Sequence, residues 1–271
     1  MSSNNLKSIT ILSLMLALSL AVVSWFGIFD PATYQRDAAS MAAQGVGQDI
    51  VNLFVVLPVL MISLMYLRRE NRIALFVFGG AIFYLLYSFI IYSLGVHFNK
   101  LFLLYCLTLG LSVYTFIIFI YAFSKIEIGQ WFRDTLPIRS TAVYLIIIAV
   151  LFYLLWLKDV LPAVLTGTIP QTVSDYKLLV NPVHVIDISF ALPGLIITAV
   201  LLIRKHKLGY IFTPIALVFI ILLTVALIGM VVMLKIRAIS DDTSVTGIFI
   251  ILTIISSIFL YLFLKNIRSE D

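Results

Sequence analysis

Long apolar runs alternate with short polar segments along this chain. Each run approaches the roughly 20 apolar residues that an α-helix needs to cross the hydrocarbon core of a bilayer. The pattern predicts eight transmembrane helices, at Ser8–Phe29, Ile50–Leu67, Ile73–Val96, Leu101–Phe123, Thr141–Lys158, Val183–Ile203, Tyr210–Leu234 and Val245–Leu264. We therefore expect an all-α, polytopic integral membrane protein with no soluble domain.

The composition identifies lipid as the solvent for most of the chain. Of the 271 residues, 62% are hydrophobic and 11% are charged, and the mean hydropathy is +1.14. Soluble domains have about 45–50% apolar and about 25% charged residues. The first apolar run is longer than the roughly 7–15 residues of a signal-peptide core, so we interpret it as an uncleaved first helix.

Positive charges are distributed unevenly between the two ends of the predicted helices. With a cytoplasmic N-terminus, twelve of the 18 Lys and Arg residues fall in cytoplasmic segments, as the positive-inside rule requires. We predict that both termini are cytoplasmic and that the chain is a multi-pass protein of the plasma (inner) membrane. The net charge of +5 follows from this topology. The expected partners are therefore the lipid bilayer and a small ligand, and no nucleic acid.

The first of two long outer loops, Asp30–Asp49, carries a helix signal of its own. Asp30 followed by Pro31 is a common start of a helix, and Gly45-Val-Gly47 is a common break. We therefore expect a short helix over Ala32–Gln44 on the outer surface.

Two stretches of the chain resemble each other at an offset of 135 residues. Asp49-Ile-Val-Asn52 and His184-Val-Ile-Asp187 are each followed by a Leu-Pro pair and then by a basic turn. We predict a tandem 4+4 parallel repeat, with halves at 1–135 and 136–271, as in transporters built from parallel repeats. The alternative is that unrelated membrane helices share this pattern by chance.

Polar side chains occur inside two of the predicted helices, where they are costly and commonly functional. Asp49 and Asn52 are three residues apart in the second helix, and His184 and Asp187 are three apart in the sixth. Each pair therefore shares a helix face. If the repeat is real, the two pairs occupy matching positions.

Further polar residues mark the predicted outer ends of these helices. Asn181 followed by Pro182 predicts the start of the sixth helix, and His97 and Asn99 end the third. A polar stripe descends the third helix at Tyr84, Ser88 and Tyr92. The predicted ligand-binding residues are Asp49, Asn52, His97, Asn99, His184 and Asp187.

The first functional hypothesis is that the protein binds or transports a small solute, ion or lipid. The ligand would enter an outward-facing polar pocket between the two halves. The two carboxylates would bind a proton, a cation or a polar head group, the histidines would tune that charge, and the asparagines would orient the ligand.

The same residues permit a second hypothesis, a membrane-embedded metal-dependent hydrolase. Two histidines and two carboxylates suit zinc or another divalent ion, which would activate a water molecule. No H-x-x-x-H or H-E-x-x-H pattern accompanies them, and no other cofactor is expected. The candidate metal ligands are His97, His184, Asp187 and Asp49. A third hypothesis is a non-catalytic membrane assembly or sensor subunit.

Three strings of the chain, Gln48–Asn52, Tyr92–Asn99 and His184–Asp187, resemble uncharacterised multi-pass bacterial membrane proteins. The resemblance implies an eight-helix membrane protein. It carries over no functional residue.

Elemental analysis of the purified protein distinguishes the first two hypotheses. The hydrolase hypothesis predicts about one equivalent of a divalent metal per chain, whereas the binding or transport hypothesis predicts no stoichiometric metal. Absence of metal after purification without chelators would remove the hydrolase.

Overall fold

The computed structural model describes residues 3–128, 130–240 and 244–268. Within them the chain contains helices, turns and an isolated β-bridge, and no β-strand. Eight helices are long and apolar enough to cross a membrane, which confirms the predicted number. They are α1 (Ser3–Phe29), α2 (Ala39–Leu67), α3 (Arg72–Gly95), α4 (Phe102–Ser124), α5 (Ile138–Thr166), α6 (Pro182–Ile203), α7 (Lys207–Ile236) and α8 (Ser244–Leu264).

The predicted outer helix over Ala32–Gln44 is wrong. Residues 31–37 form turns and a bend, and α2 begins at Ala39 and continues through both glycines into the membrane. Asp30 stabilises a turn instead of a helix start, because its Oδ1 accepts a hydrogen bond from the Ala32 backbone N–H at 3.0 Å.

The glycines of α2 allow close packing and do not end the helix. A Cβ atom on Gly47 would lie 2.4 Å from the carbonyl oxygen of Gly229 on α7, and one on Gly45 would lie 2.9 Å from the ring of Tyr34. Small residues let membrane helices approach backbone to backbone. This packing offsets the roughly 1 kcal/mol by which glycine disfavours a helix relative to alanine.

The fifth helix extends beyond its predicted end at Lys158. It continues through Pro162 to Thr166 and ends at Gly167, whose φ of 68° is the left-handed conformation of a helix C-cap. Glycine adopts this conformation without the steric cost of a Cβ atom. A five-residue helix, Gln171–Asp175, follows in the loop before α6.

The first compact unit comprises Met1–Leu136 and Pro214–Asp271. In it α3 packs against α2 and α4, and α1 packs against α2 and α4. Aromatic rings pack against one another between these helices. Examples are the pair Phe78 and Phe119, with ring centroids 5.3 Å apart, and the pair Phe83 and Phe219, at 4.9 Å.

The second compact unit is Pro137–Thr213, in which α5 packs against α6. The division of the chain into halves at 1–135 and 136–271 stays a prediction, as does the orientation of the termini.

Both polar helices contain a π-helical segment immediately before a Leu-Pro pair. The segments are Asn52–Val56 in α2 and Asp187–Ala191 in α6, and they share the offset of 135 residues. A proline removes one backbone N–H and its ring clashes with the carbonyl four residues earlier. The wider π turn accommodates that clash, and such turns are frequent at functional sites.

Gly47→Ala should destabilise the protein, because the added methyl group meets the Gly229 carbonyl. Overpacking of this kind costs about 1–3 kcal/mol. Thermal unfolding in detergent should show a lower midpoint for this variant. The matched control is Gly110→Ala, where a Cβ atom meets nothing within 4 Å. An equal midpoint for the two variants would contradict the close contact of α2 with α7.

Candidate functional site

Asp49 is the central polar residue of the first unit, and it is 0% exposed. Its Oδ2 accepts a hydrogen bond from the Tyr34 hydroxyl at 2.5 Å, and its Oδ1 accepts one from the Tyr92 hydroxyl at 2.9 Å. Within the described part of the chain, no Lys, Arg or His side chain forms an ion pair with it. A buried carboxyl group is therefore held by two neutral donors.

Gly27 on α1 provides the space that the Asp49 carboxyl group occupies. A Cβ atom at this glycine would lie 1.7 Å from Asp49 Oδ2 and 3.0 Å from the Tyr34 hydroxyl. The turn that carries Tyr34 is attached to α1, because the Thr33 hydroxyl donates to the Phe26 carbonyl at 2.9 Å. The end of α1 thus fixes both the carboxyl group and one of its donors.

Tyr34 keeps its proton in this environment. The side chain is buried, with the residue 5% exposed, and burial raises the pKa of the Tyr34 phenol well above its usual value of 10. The neighbouring carboxyl group of Asp49 acts in the same direction. The phenol is therefore a hydrogen-bond donor to Asp49 over the whole physiological range of pH.

Asn52 lies beside Asp49 on α2 and is also buried. Its Oδ1 accepts a hydrogen bond from the Tyr84 hydroxyl at 2.9 Å, while its Nδ2 has no hydrogen-bond partner among the described residues. The predicted stripe on α3 thus supplies one phenol to each polar residue of α2, since Tyr92 binds Asp49. The unpaired amide is a donor available to a water molecule or a ligand.

His97 and Asn99 hold two outer turns together. The backbone N–H of His97 donates to Asp37 Oδ1 at 3.0 Å, and its ring Nδ1 lies 2.8 Å from the same oxygen. Asn99 donates to the Thr33 carbonyl at 3.0 Å and to the Tyr105 hydroxyl at 3.2 Å. These contacts attach the turn after α3 to the turn before α2, which carries Tyr34.

A cavity of about 370 Å³ lies at the end of α1 and the start of α2. Its lining includes Gly27, Tyr34 and three charged residues, Asp30, Asp37 and Arg237. Asp30 pairs with Lys100, and the hydrogen bond from this lysine lowers the pKa of the Asp30 carboxyl group. The Asp37 side chain is only 2% exposed, and its Oδ2 has no hydrogen-bond partner among the described residues.

The predicted site residues of the second unit surround Trp156. The indole N–H of Trp156 donates to Asp187 Oδ2 at 2.7 Å, and its ring lies 4.9 Å from that of His184. His184 Nε2 is 3.9 Å from Asp159 Oδ2, an oxygen that also accepts a hydrogen bond from Thr172 at 2.6 Å. The tryptophan thus contacts both predicted residues.

The start of α6 confirms the predicted cap. Pro182 is the first residue of the helix, and Asn181 Oδ1 accepts a hydrogen bond from the Val183 backbone N–H at 3.0 Å.

Of the six predicted residues, Asp49, Asn52, His97 and Asn99 therefore belong to the first unit, and His184 and Asp187 belong to the second. Within the described ranges, no group of three or more His, Cys, Asp or Glu side chains is arranged to hold a metal ion. The shared pocket and the metal site both stay predictions.

No local pattern in the sequence predicted the roles of Tyr34, Asp37 and Gly27. Tyr34 and Gly27 both contact Asp49, which lies 15 and 22 positions further along the chain. Asp37 contacts His97, which lies 60 positions further along. Comparisons with protein-family models, curated proteins and solved structures found no match for this chain.

Gly27→Ala and Asp49→Ala should be energetically coupled. The first substitution alone forces a methyl group onto the carboxyl group, whereas the second removes that carboxyl group and relieves the clash. Residues in contact show coupling energies of about 0.5–3 kcal/mol. A double-mutant cycle of unfolding in mixed micelles measures this energy. Gly247→Ala, whose Cβ would meet nothing within 4 Å, should be additive with Asp49→Ala, and additivity in both cycles would contradict the contact.

Proposed function

We propose that this chain is a multi-pass protein of the plasma membrane that binds a proton or another small ion at Asp49. Binding there would be coupled to the movement of a small solute or lipid, so that the protein acts in transport. The observation that carries the proposal is the carboxyl group in a membrane-crossing helix, which is 0% exposed and has no cationic partner among the described residues.

The energetic cost of this arrangement supports a functional role for Asp49. A buried carboxylate without a compensating charge is strongly disfavoured, and ionisable residues within membrane helices commonly mark ion or proton pathways. Two phenol donors reduce the cost but supply no positive charge. The buried carboxylate therefore needs another source of positive charge. A bound proton would neutralise it, and a bound cation would compensate its charge.

The position of the cavity supports access of a ligand to Asp49 from the predicted outer side of the membrane. The cavity is bounded by Gly27 and Tyr34, and these are the two residues in contact with Asp49 Oδ2 from α1 and from the outer turn. A ligand in the cavity would therefore be separated from the carboxyl group by one layer of protein.

The π-helical segments support the proposed duplication and a role in movement. Asn52 and Asp187 each begin a π segment, and each accepts a hydrogen bond from an aromatic side chain, Tyr84 and Trp156 respectively. Discontinuous helices at matching places are typical of transporters built from repeats. We include the tandem repeat and the cytoplasmic termini in the proposal. Among the described residues, no observation favours the hydrolase or the sensor over transport.

Asp49→Asn tests the proposal. Asparagine preserves the shape of the side chain but binds no proton at this position. Infrared difference spectra of the purified protein, recorded during a pH titration and on addition of Na⁺ or K⁺, should contain a carboxyl band that Asp49→Asn removes.

The control for this experiment is Asp134→Asn, which replaces an exposed carboxyl group in the loop before α5 and should retain the band. Identical difference spectra for the wild type and Asp49→Asn would reject Asp49 as the binding group.

A further inference from the structure

Tyr34 is the one side chain that joins the cavity to Asp49 in the described part of the chain. It lines the cavity, and its hydroxyl donates to Asp49 Oδ2 at 2.5 Å. The carboxyl group itself is 0% exposed and does not line the cavity. Among the residues that line the cavity, Tyr34 therefore provides the hydrogen-bonded connection to the carboxyl group.

The second donor to Asp49, Tyr92, packs among aromatic side chains and not against the cavity. The ring of Tyr92 stacks on Phe89, with ring centroids 5.1 Å apart, and meets the ring of Tyr105 edge-on at 5.5 Å. The residue is 2% exposed and does not line the cavity. Tyr92 therefore connects Asp49 to the aromatic interior, and Tyr34 connects it to the outer cavity.

On the side of Gly27, the packing around Asp49 leaves no gap for a metal cation. The position of a Cβ atom on Gly27 is only 1.7 Å from Asp49 Oδ2, so the carboxyl group already fills that gap. Hard cations take roughly six or more oxygen ligands at about 2.0–2.6 Å. Tyr34 and Tyr92 instead direct their hydrogens at the carboxyl group, so they are donors to it and not ligands of a cation.

We propose that the ion exchanged at Asp49 is a proton and that Tyr34 relays it between the cavity and the carboxyl group. This inference rests on the proposed function and specifies the ion that it binds. A hydronium ion in the cavity gives a proton to the Tyr34 oxygen while the phenol O–H bond breaks. The released proton forms a bond to Asp49 Oδ2. Hydronium becomes water, the carboxylate becomes a carboxylic acid, and Tyr34 is neutral before and after the step.

Other ionisable groups face this path and have partners of their own. Asp30 pairs with Lys100. Asp37 binds His97 through its Oδ1, while its Oδ2 has no hydrogen-bond partner among the described residues. Further ionisable groups nearby are Arg36 on the same turn, which donates to the Phe98 carbonyl, and Tyr84, Tyr92, Tyr105 and Arg237. Burial raises the pKa of Tyr34, so the relay uses the neutral phenol and a free phenolate is disfavoured.

The test measures how fast Asp49 becomes protonated. The full-length protein is subjected to a rapid drop in pH, and its carboxyl band is followed by time-resolved infrared spectroscopy. Tyr34→Phe removes only the relaying hydroxyl group. We expect it to slow the protonation of Asp49 about tenfold or more, since a positioned proton-transfer group contributes at least that much to a rate.

Tyr92→Phe is the matched comparison, because it removes the other donor to the same carboxyl group. Both variants should alter the equilibrium titration of Asp49, but only Tyr34→Phe should lower the rate at which Asp49 becomes protonated. Tyr114→Phe, at an exposed position on α4, should match the wild type. Ala42→Leu fills part of the cavity without removing the Tyr34 hydroxyl. This variant should also slow the protonation of Asp49, and it tests the same path if Tyr34→Phe does not fold.

The outcomes separate the relay from the proposed function. Wild-type rates in both Tyr34→Phe and Ala42→Leu, or equal slowing in Tyr92→Phe, would overturn the relay and leave Asp49 as the binding group. A wild-type spectrum without a pH-sensitive band from Asp49 would overturn both.

Discussion

A buried carboxyl group in a membrane-crossing helix, with no counter-charge among the residues that the structure describes, is the constraint on which the first unit depends. Asp49 must be hydrogen-bonded, because an unsatisfied charge in this environment would be too costly to retain. The space comes from a glycine on α1 and the donors come from Tyr34 and Tyr92. Three separate parts of the chain, α1, the turn before α2, and α3, therefore have to meet at one side chain.

The outer turns serve this same requirement. Tyr34 can donate to Asp49 only if the turn at residues 31–37 keeps its place. This turn is held by hydrogen bonds to α1 and to the turn after α3, through Thr33, Asp37 and His97. The polar residues at the outer surface thus act on the buried site by positioning Tyr34, and they do not contact Asp49.

The polar helices α2 and α6 share a local structure that is built from different residues. In each, the first residue of a π-helical segment accepts a hydrogen bond from an aromatic side chain, Asn52 from Tyr84 and Asp187 from Trp156. In each, a Leu-Pro pair follows at once. The proline creates the need for the wider turn, and the polar residue before it lies where the backbone is least regular. The tandem repeat that we propose would account for these shared features.

The sequence by itself determined the eight membrane helices and the start of α6, because both depend on signals that are local in the chain. An apolar run long enough to cross a bilayer has few alternatives to a helix, and an Asn-Pro start needs only its own neighbours. Only the tertiary structure decided that α2 continues through its glycines, that Tyr34 binds Asp49, and that His97 binds Asp37. Those outcomes depend on which atoms face each other after packing. The same Gly-Val-Gly segment breaks a solvated helix but permits close contact when another backbone lies against it.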